Sequence, residues 1–368
     1  MEISNLKLYN FKNHHLVDLK IDSKVIAITG ENGSGKTNIL DAVYYIANTK
    51  SYFIHHDSLV ITDGQKECSV HGKLIIDNED TEIGISMGES KKKVIKKNGK
   101  TYSKLVDHVG LIQTVFITPY DIELVFDGSE IRRRFIDYTI SQLDKNYLYD
   151  LVEYRKVIDQ RNAYLKSLDG NKLDDFLIES LNNKLIPLNE RIFKVRAEFM
   201  LEFNDFFDKY HKVLGAKETG KIIYESQLEG QDYFNLLKIN EQKDILACRT
   251  TAGIHKDDLI FNIDDKQLRK FGSQGQIKTF VIALKLSQFF YLKKKTNRIP
   301  LLLLDDIFEK IDESRSMKLM ELVCSDGFGQ IWVSDTSSNR VKKHFSPFTK
   351  SCKYISLPYS AEQSNHQV

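Results

Sequence analysis

What the chain lacks narrows it first. Its 368 residues hold four cysteines, Cys68, Cys248, Cys324 and Cys352, and no two of them form a C-x-x-C pair. That spacing offers neither a zinc site nor a disulfide framework, and it fits a reducing compartment, expected to be the cytoplasm. No apolar run approaches the ~20 residues that a membrane span requires. The start Met-Glu-Ile-Ser-Asn has no basic segment leading into an apolar one. The chain is therefore expected to be neither exported nor embedded, with no membrane partner. Charge of one sign is missing too, since 53 basic residues against 51 acidic ones give a net charge of +2. Any nucleic-acid surface must come from local clustering. With 41% apolar and 28% charged residues, the composition is that of a soluble globular protein long enough for two domains or one large one.

What is present is organised around residue 30. Val25-Ile26-Ala27-Ile28-Thr29 runs into Gly30-Glu31-Asn32-Gly33-Ser34-Gly35-Lys36-Thr37, and Asn38 then opens a segment with Ile39, Leu40, Val43 and Ile46 at helical spacing. Strand, glycine loop ending Gly-Lys-Thr, and helix together read as a phosphate loop, the Walker A motif. Glycines let the backbone aim N–H groups at one point, and the helix N-terminus adds roughly half a positive charge there. Lys36 is expected to reach the β- and γ-phosphates, and Thr37 to ligate Mg²⁺. A glycine-rich connection fitting the pattern by chance is disfavoured because both flanking elements are in place.

Two later stretches carry related chemistry. Leu301-Leu302-Leu303-Leu304 ends in Asp305-Asp306, which describes a buried parallel strand delivering carboxylates at its C-terminal edge. Asp305 fits a Walker B role on Mg²⁺, and Asp306 is placed to orient or deprotonate an attacking water. Before it, Gly272-Ser273-Gln274-Gly275-Gln276 precedes a long apolar helix, a second glycine turn where an anion could be held.

Between these motifs the hydrophobic period changes twice. Leu6/Leu8 and Val17/Leu19/Ile21 read as an antiparallel pair. Val70 to Ile76 and Ile83 to Met87 alternate, and Asn98-Gly99 favours a hairpin turn, so a β-meander is expected. From about residue 130 helical spacing takes over. Leu148, Leu151, Val152, Ile158, Leu165 and Leu168 form one series, and Leu188, Ile192, Val195, Phe199, Phe203, Phe206, Tyr210 and Val213 form another. A turn at Asp169-Gly170 would let them return antiparallel. The strand pattern resumes near Ile222, and a polar turn at 251–258 precedes Leu259-Ile260-Phe261. Gln330 to Ser334 reads as a further buried strand ending in Asp335-Thr336-Ser337, and the tail from Ser360 is polar.

Three basic clusters are candidates for DNA contact: Lys91, Lys92, Lys93, Lys96, Lys97 and Lys100; Arg132, Arg133 and Arg134; and Lys293, Lys294 and Lys295. Each has a plainer reading. Lysines guard an edge strand against aggregation, and the other two clusters read equally well as solvated faces or surface ion pairs. Three consecutive arginines on a helix point in different directions, so only one or two can serve one ligand.

This order of motifs resembles the ABC-type ATPase heads of SMC-like chromosome proteins and, with an arm far shorter than a long coiled coil, the RecF recombination mediators. The resemblance is carried by Asn10-Phe11-Lys12-Asn13, Gly30 to Asn38, Gly128 with Arg132-Arg133, Gln160-Arg161-Asn162, Gly253-x-His255-Lys256-Asp257-Asp258, Ser273-Gln274-Gly275-Gln276, and Leu303 to Asp312. It implies an α/β fold: a P-loop ATPase head with an antiparallel β subdomain and an inserted short helical arm, divided as 1–125, 126–239 and 240–368. It further implies ATP and Mg²⁺ as cofactors, with Gly30 to Asn38 on the nucleotide and Lys36 and Asp306 in slow hydrolysis that acts as a switch. Ser273, Gly275 and Gln276 of one subunit would close on nucleotide held by another, so an ATP-dependent homodimer is expected. The implied partners are duplex DNA near gaps, single-strand/double-strand junctions, and RecR with RecO, which together help RecA load in DNA repair, recombination, replication restart and the SOS response. The chain departs from the family pattern at Lys12, Phe53, Tyr120, Ile254, Lys256 and the run Glu309-Lys310-Ile311-Asp312. Rival readings are a transporter-type ABC subunit, a P-loop phosphotransferase, and an SMC-like partner of a nuclease. The helical insertion and N-terminal strands oppose the first, the Ser-x-Gly-Gln turn the second, and the short arm the third.

Overall fold

In the computed structural model, the apolar runs beside both Walker motifs become strands of one parallel sheet. Residues 1–54, 56–88, 91–168, 173–307, 313–323, 327–347 and 351–358 are described. The five strands lie in the order Cys352–Ser356, Val25–Thr29, Ile331–Asp335, Leu301–Asp305 and Thr114–Ile117, every neighbouring pair parallel. The three central strands are buried along their whole length, which explains why they read as unbroken apolar runs and not as alternation. Register sets Asp305 opposite Ser334 and Asp335 opposite Thr29, so the polar strand ends share one edge. Cys352–Ser356 is the strand that sequence reading misses, because a partly exposed edge strand leaves no run of apolar residues.

The expected meander is a six-stranded antiparallel sheet, ordered His14–Lys20, Glu2–Phe11, Glu67–Ile76, Glu79–Gly88, Lys91–Lys97 and Lys100–Thr101. Its inward face carries Leu6, Leu8, Val17, Val70, Leu74, Ile83, Ile85 and Ile95, all buried. Asn98, at a positive φ of 49°, and Gly99 make the hairpin turn, as the Asn-Gly dipeptide predicts. These two sheets belong to one compact unit, made of Met1–Asp121, Tyr210–Ala216 and Lys278–Val368.

The second unit, Ile122–Lys209 and Lys217–Ile277, takes in the turn at 273–276 along with most of the segment 126–239. Its helices are Ser129–Ser141, Lys145–Ser167, the long Asp175–Val213, whose last four residues belong to the first unit, and Tyr233–Ala247. Its sheet orders Lys266–Gln267, Asp258–Ile263 and Gly220–Glu225, all antiparallel. Asp144 starts the second helix by accepting the Asn146 and Tyr147 N–H groups, satisfying donors that have no intrahelical partner. The expected antiparallel return is present: Arg161 reaches Asn182, Arg191 reaches Asp150 and Arg196 reaches Tyr147, so one helix number falls as the other rises. The turn at Asp169-Gly170, the run after Asp306 from 308 to 312, and the tail from 359 lie outside the described residues.

The faces of these helices differ from the expected ones. Tyr147, Leu151, Tyr154, Ile158, Arg161, Leu165 and Leu168 are buried, a regular seven-residue repeat, whereas Val152 is half exposed. On the long helix Ile192, Arg196, Phe199, Phe203 and Phe207 are buried, so Arg196 and Phe207 hold the positions expected of Val195 and Phe206. The seam is continuous but not wholly apolar.

Candidate nucleotide-binding site

The loop after Val25–Thr29 has the geometry of an anion cradle. Gly33 and Gly35 sit at φ of +82° and +96°, where a side chain is strained. A Cβ at Gly35 would also fall about 2.5 Å from Asn13 and 2.6 Å from His14, so the loop needs glycine there for space as well. The helix Lys36–Asn48 starts with no capping side chain, leaving its first N–H groups available at the loop. Lys36 Nζ folds back to donate to the Gly30 and Glu31 carbonyls at 2.9 and 3.0 Å. Ser34 Oγ is buried with no hydrogen-bond partner among the described residues. Asn38 donates to Asn13 at 2.7 Å, and His14 Nε2 donates to the Gly35 carbonyl at 3.0 Å. Burial lowers the His14 pKa, so the ring stays neutral beside the loop. Gly30 to Asn38 thus gather at one place, with Glu31 and Asn32 exposed at its rim.

The Walker B carboxylate meets this loop across 268 residues of chain. Thr37 Oγ1 donates to Asp305 at 2.8 Å, and Ser334 Oγ donates to the same carboxylate at 2.6 Å. Burial raises the Asp305 pKa, while the bonds from Ser334 and Thr37 and the Lys36 charge pull it down. Hydroxyl and carboxylate side by side form a hard-oxygen pair of the kind Mg²⁺ takes, and the unpartnered Ser34 hydroxyl marks room for phosphate oxygens. The residues present therefore fit Mg²⁺ and a polyphosphate. Asp306 follows in a left-handed conformation, φ 43°, its N–H donating to Ser334 Oγ at 3.1 Å. Ser334 is a site residue that the sequence marks only as the last residue of a buried strand, ahead of the polar end Asp335-Thr336-Ser337. Asn13 was marked only as part of a family motif, and His14 was not marked at all.

The departures at Lys12 and Phe53 lie against one another. Lys12 Nζ pairs with the fully buried Asp41 at 2.7 Å and lies 5.4 Å from the Phe53 ring centre. Phe53 in turn meets Tyr120 edge to face at 6.0 Å. Lys285 closes the same region by pairing with Asp121 at 2.7 Å and donating to the Phe116 carbonyl.

At the second glycine turn, Ser273 and Gln276 bond each other. Ser273 N–H donates to Gln276 Oε1 at 2.8 Å, and Gln276 N–H donates to Ser273 Oγ at 3.2 Å. This reciprocal pair is a capping box that starts the helix Gln274–Thr296. Ser273 is exposed, and so is Phe271 just before it, at 68%.

The basic clusters divide. Lys93 is corrected out of the DNA candidates: its side chain is buried, pairs with Asp57 at 2.6 Å and donates to the Thr49 carbonyl. Strand alternation turns it inward, whereas Lys92 and Lys96 face out. Arg132 is corrected out as well, because it holds Asp258 through two nitrogens and also bonds the Leu124 and Asp127 carbonyls. Arg133 bonds Ser129 Oγ and the Asp257 carbonyl and remains half-buried, while Arg134 only approaches Glu130 at 3.8 Å. Lys293 donates to the Gly327 carbonyl, and Lys294 and Lys295 are exposed. Lys97 is partly buried, and Lys91 lies in the same strand.

No helix among the described residues is long and apolar enough to cross a membrane. The family described as RecF/RecN/SMC N terminal domain matches residues 2–349. The DNA replication and repair protein RecF of Flavobacterium johnsoniae is 43% identical over 93% of this chain and 96% of its own length. Its counterpart in Parabacteroides distasonis is 38% identical over 92% of each. Among solved structures, the recombination mediator protein RecF-ATP in the RecFOR pathway aligns with TM-score 0.85 at 29% identity, covering 92% of both chains. The Smc head domain from Pyrococcus yayanosii aligns with TM-score 0.57 at 13% identity over 97% of this chain and 95% of its own, a likeness of fold alone. A phosphate loop, a Walker B strand and an inserted helical unit on this fold agree with those relatives, and the chain belongs to the RecF family of DNA replication and repair proteins.

Proposed function

We propose that this chain binds ATP with Mg²⁺ and uses it to control a homodimer that holds duplex DNA near single-strand gaps and junctions in the cytoplasm. The observation that carries this reading is the meeting of Thr37 with Asp305 at 2.8 Å beneath the glycine loop. Bound Mg²⁺ would supply charge neutralisation for the phosphates, held by Thr37 and Asp305. Lys36 then leaves its two carbonyl acceptors for the β- and γ-phosphates, and the first N–H groups of Lys36–Asn48 supply further donors. Ser334 fixes the Asp305 carboxylate in orientation. Asp306 orients the attacking water and accepts its proton, with slow turnover that resets the dimer. Exposed Ser273, with Gly275 and Gln276, serves the nucleotide of the second copy, and the exposed Phe271 ring gives that face apolar area to cover. By kinship with proteins of the RecFOR pathway, RecR with RecO is the partner set, and loading of RecA the outcome.

The test is a titration of labelled duplex by fluorescence anisotropy with and without ATP and Mg²⁺, alongside Lys36→Ala and Ser273→Arg. ATP should tighten DNA binding by the parent chain. Lys36→Ala should lose nucleotide and that response together, while Ser273→Arg should keep nucleotide and lose ATP-driven dimerisation in ultracentrifugation. Equal dimerisation by the Ser273 variant would refute this division of roles.

A further inference from the structure

The helix Tyr233–Ala247 ends at Cys248, which adopts a left-handed conformation, and the Arg249 N–H donates back to the Asp244 carbonyl at 3.1 Å. That reversal sends the chain into the turn at 250–257. There the Thr250 carbonyl accepts His255 Nε2 at 3.0 Å, so Arg249 and Lys256 flank a bonded pair. Arg133, from a third element, donates to the Asp257 carbonyl at 2.7 Å. Lys243 precedes Asp244 on the same helix, just before its last turn. Lys243, Arg249 and Lys256 are exposed.

The carboxylates nearby are already used. Asp244 pairs with Arg161, Asp258 with Arg132, and Asp137 and Asp257 both with Arg196. No ion pair reaches Lys243, Arg249 or Lys256 among the described residues. Seven cations thus gather around four carboxylates, and the surplus lies at the surface. The Lys256 ammonium registers the crowding: burial lowers its pKa first, and Arg249, Arg133 and Lys243 push it the same way. Complementing a helix C-terminus would account for Arg249. It does not account for Lys256 and Arg133, which arrive on separate elements.

We propose that Lys243, Arg249 and Lys256, with Arg133 behind them, form a site on the second unit that grips successive phosphates of a nucleic-acid backbone. Cations from three elements, three of them exposed, suit a polyanion that engages several at once better than one small anion. Of these residues, only Arg133 falls within the clusters that the sequence singled out. The inference rests on the DNA-binding reading above and adds a location to it.

The experiment measures duplex affinity against salt, with ATP and Mg²⁺, for the full chain and for the triple variant Lys243→Gln/Arg249→Gln/Lys256→Gln. Each lost phosphate contact should reduce the slope of log K on log salt by about 0.9. The triple variant should therefore lose about two to three units of slope and bind about tenfold or more weakly at low salt. Binding of a fluorescent ATP analogue should stay as in the parent. Lys243→Arg/Lys256→Arg, which keeps the charge, should keep the parent slope. A triple variant with the parent slope, while the parent binds DNA, would overturn the site and leave the DNA-binding reading standing. Loss of slope in the charge-keeping variant would overturn it too, by showing a structural role. No DNA binding by the parent in any nucleotide state would bring down both.

Discussion

The two units bury the same kinds of polar side chain to opposite ends. Around the phosphate loop, among the described residues, Lys36 is held only by two backbone carbonyls, the Ser34 hydroxyl has no partner, and Thr37 shares Asp305 with Ser334. Each of these groups can change partners when a ligand arrives. In the helical unit, Arg161 is closed in by Asp244, Thr250 and Asn182, and Arg196 by Asp137, Asp257, Tyr147 and the Ile254 carbonyl. Arg196 donates through all three of its nitrogens, and Arg161 through Nε and Nη1. A buried charge therefore marks function here only where its bonds are replaceable, and elsewhere it fixes how helices and turn fit together.

The contrast can be broken most directly at Arg196. Arg196→Met should destabilise the chain by about 3–5 kcal/mol in urea unfolding, because Asp137 and Asp257 stay buried without their counter-charge. A loss below about 1 kcal/mol would mean that the network is as replaceable as the loop. A smaller effect should come from pH. His255 accepts from Tyr154 at Nδ1 and donates to Thr250 at Nε2, and burial pushes its pKa down to about 4. The unfolded chain binds that proton near pH 6.5, so stability is complete above that value and falls as pH drops towards 4. At pH 5 the deficit should be about 2 kcal/mol. His255→Gln should flatten that part of the pH dependence, and an unchanged slope would assign it to other groups. The smallest stability effect is expected at Thr37→Ala, within about 1 kcal/mol, although Mg²⁺-dependent nucleotide affinity should fall. Unfolding as severe as that of the Arg196 variant would erase the distinction between the units.

The same contrast decides what could be read without coordinates. The phosphate loop and Leu301–Asp305 were legible because their chemistry is contiguous and their strands are buried on both faces, which leaves unbroken apolar runs. The meander was legible because one face is solvated and alternation survives. In the helical unit the reading located the helices but assigned part of the wrong face. Apolar counting chose Val195, Phe206, Leu148 and Val152, whereas burial selects Arg196, Phe207, Tyr147 and Tyr154. Residues that reach the core through paired charges and hydroxyls carry no hydrophobic signal. The partner of Tyr154, His255, lies 101 positions away and that of Arg196, Asp257, 61, beyond any local pattern. Lys93 and Arg132 misled for the converse reason: a run of like charges does not show which member alternation or a distant carboxylate draws inward. His14 left no mark because its role is a single bond to a loop carbonyl.

The capping box at Ser273 and Gln276 fixes the second glycine turn without consuming the Ser273 O–H. Ser273 Oγ accepts the Gln276 N–H through one lone pair, so its own O–H can donate elsewhere while the cap is kept. A helix cap of this kind is worth about 1 kcal/mol, roughly a factor of five in an equilibrium constant. In the proposed dimer the cap would stay intact on each copy, so the turn would arrive with its geometry already set.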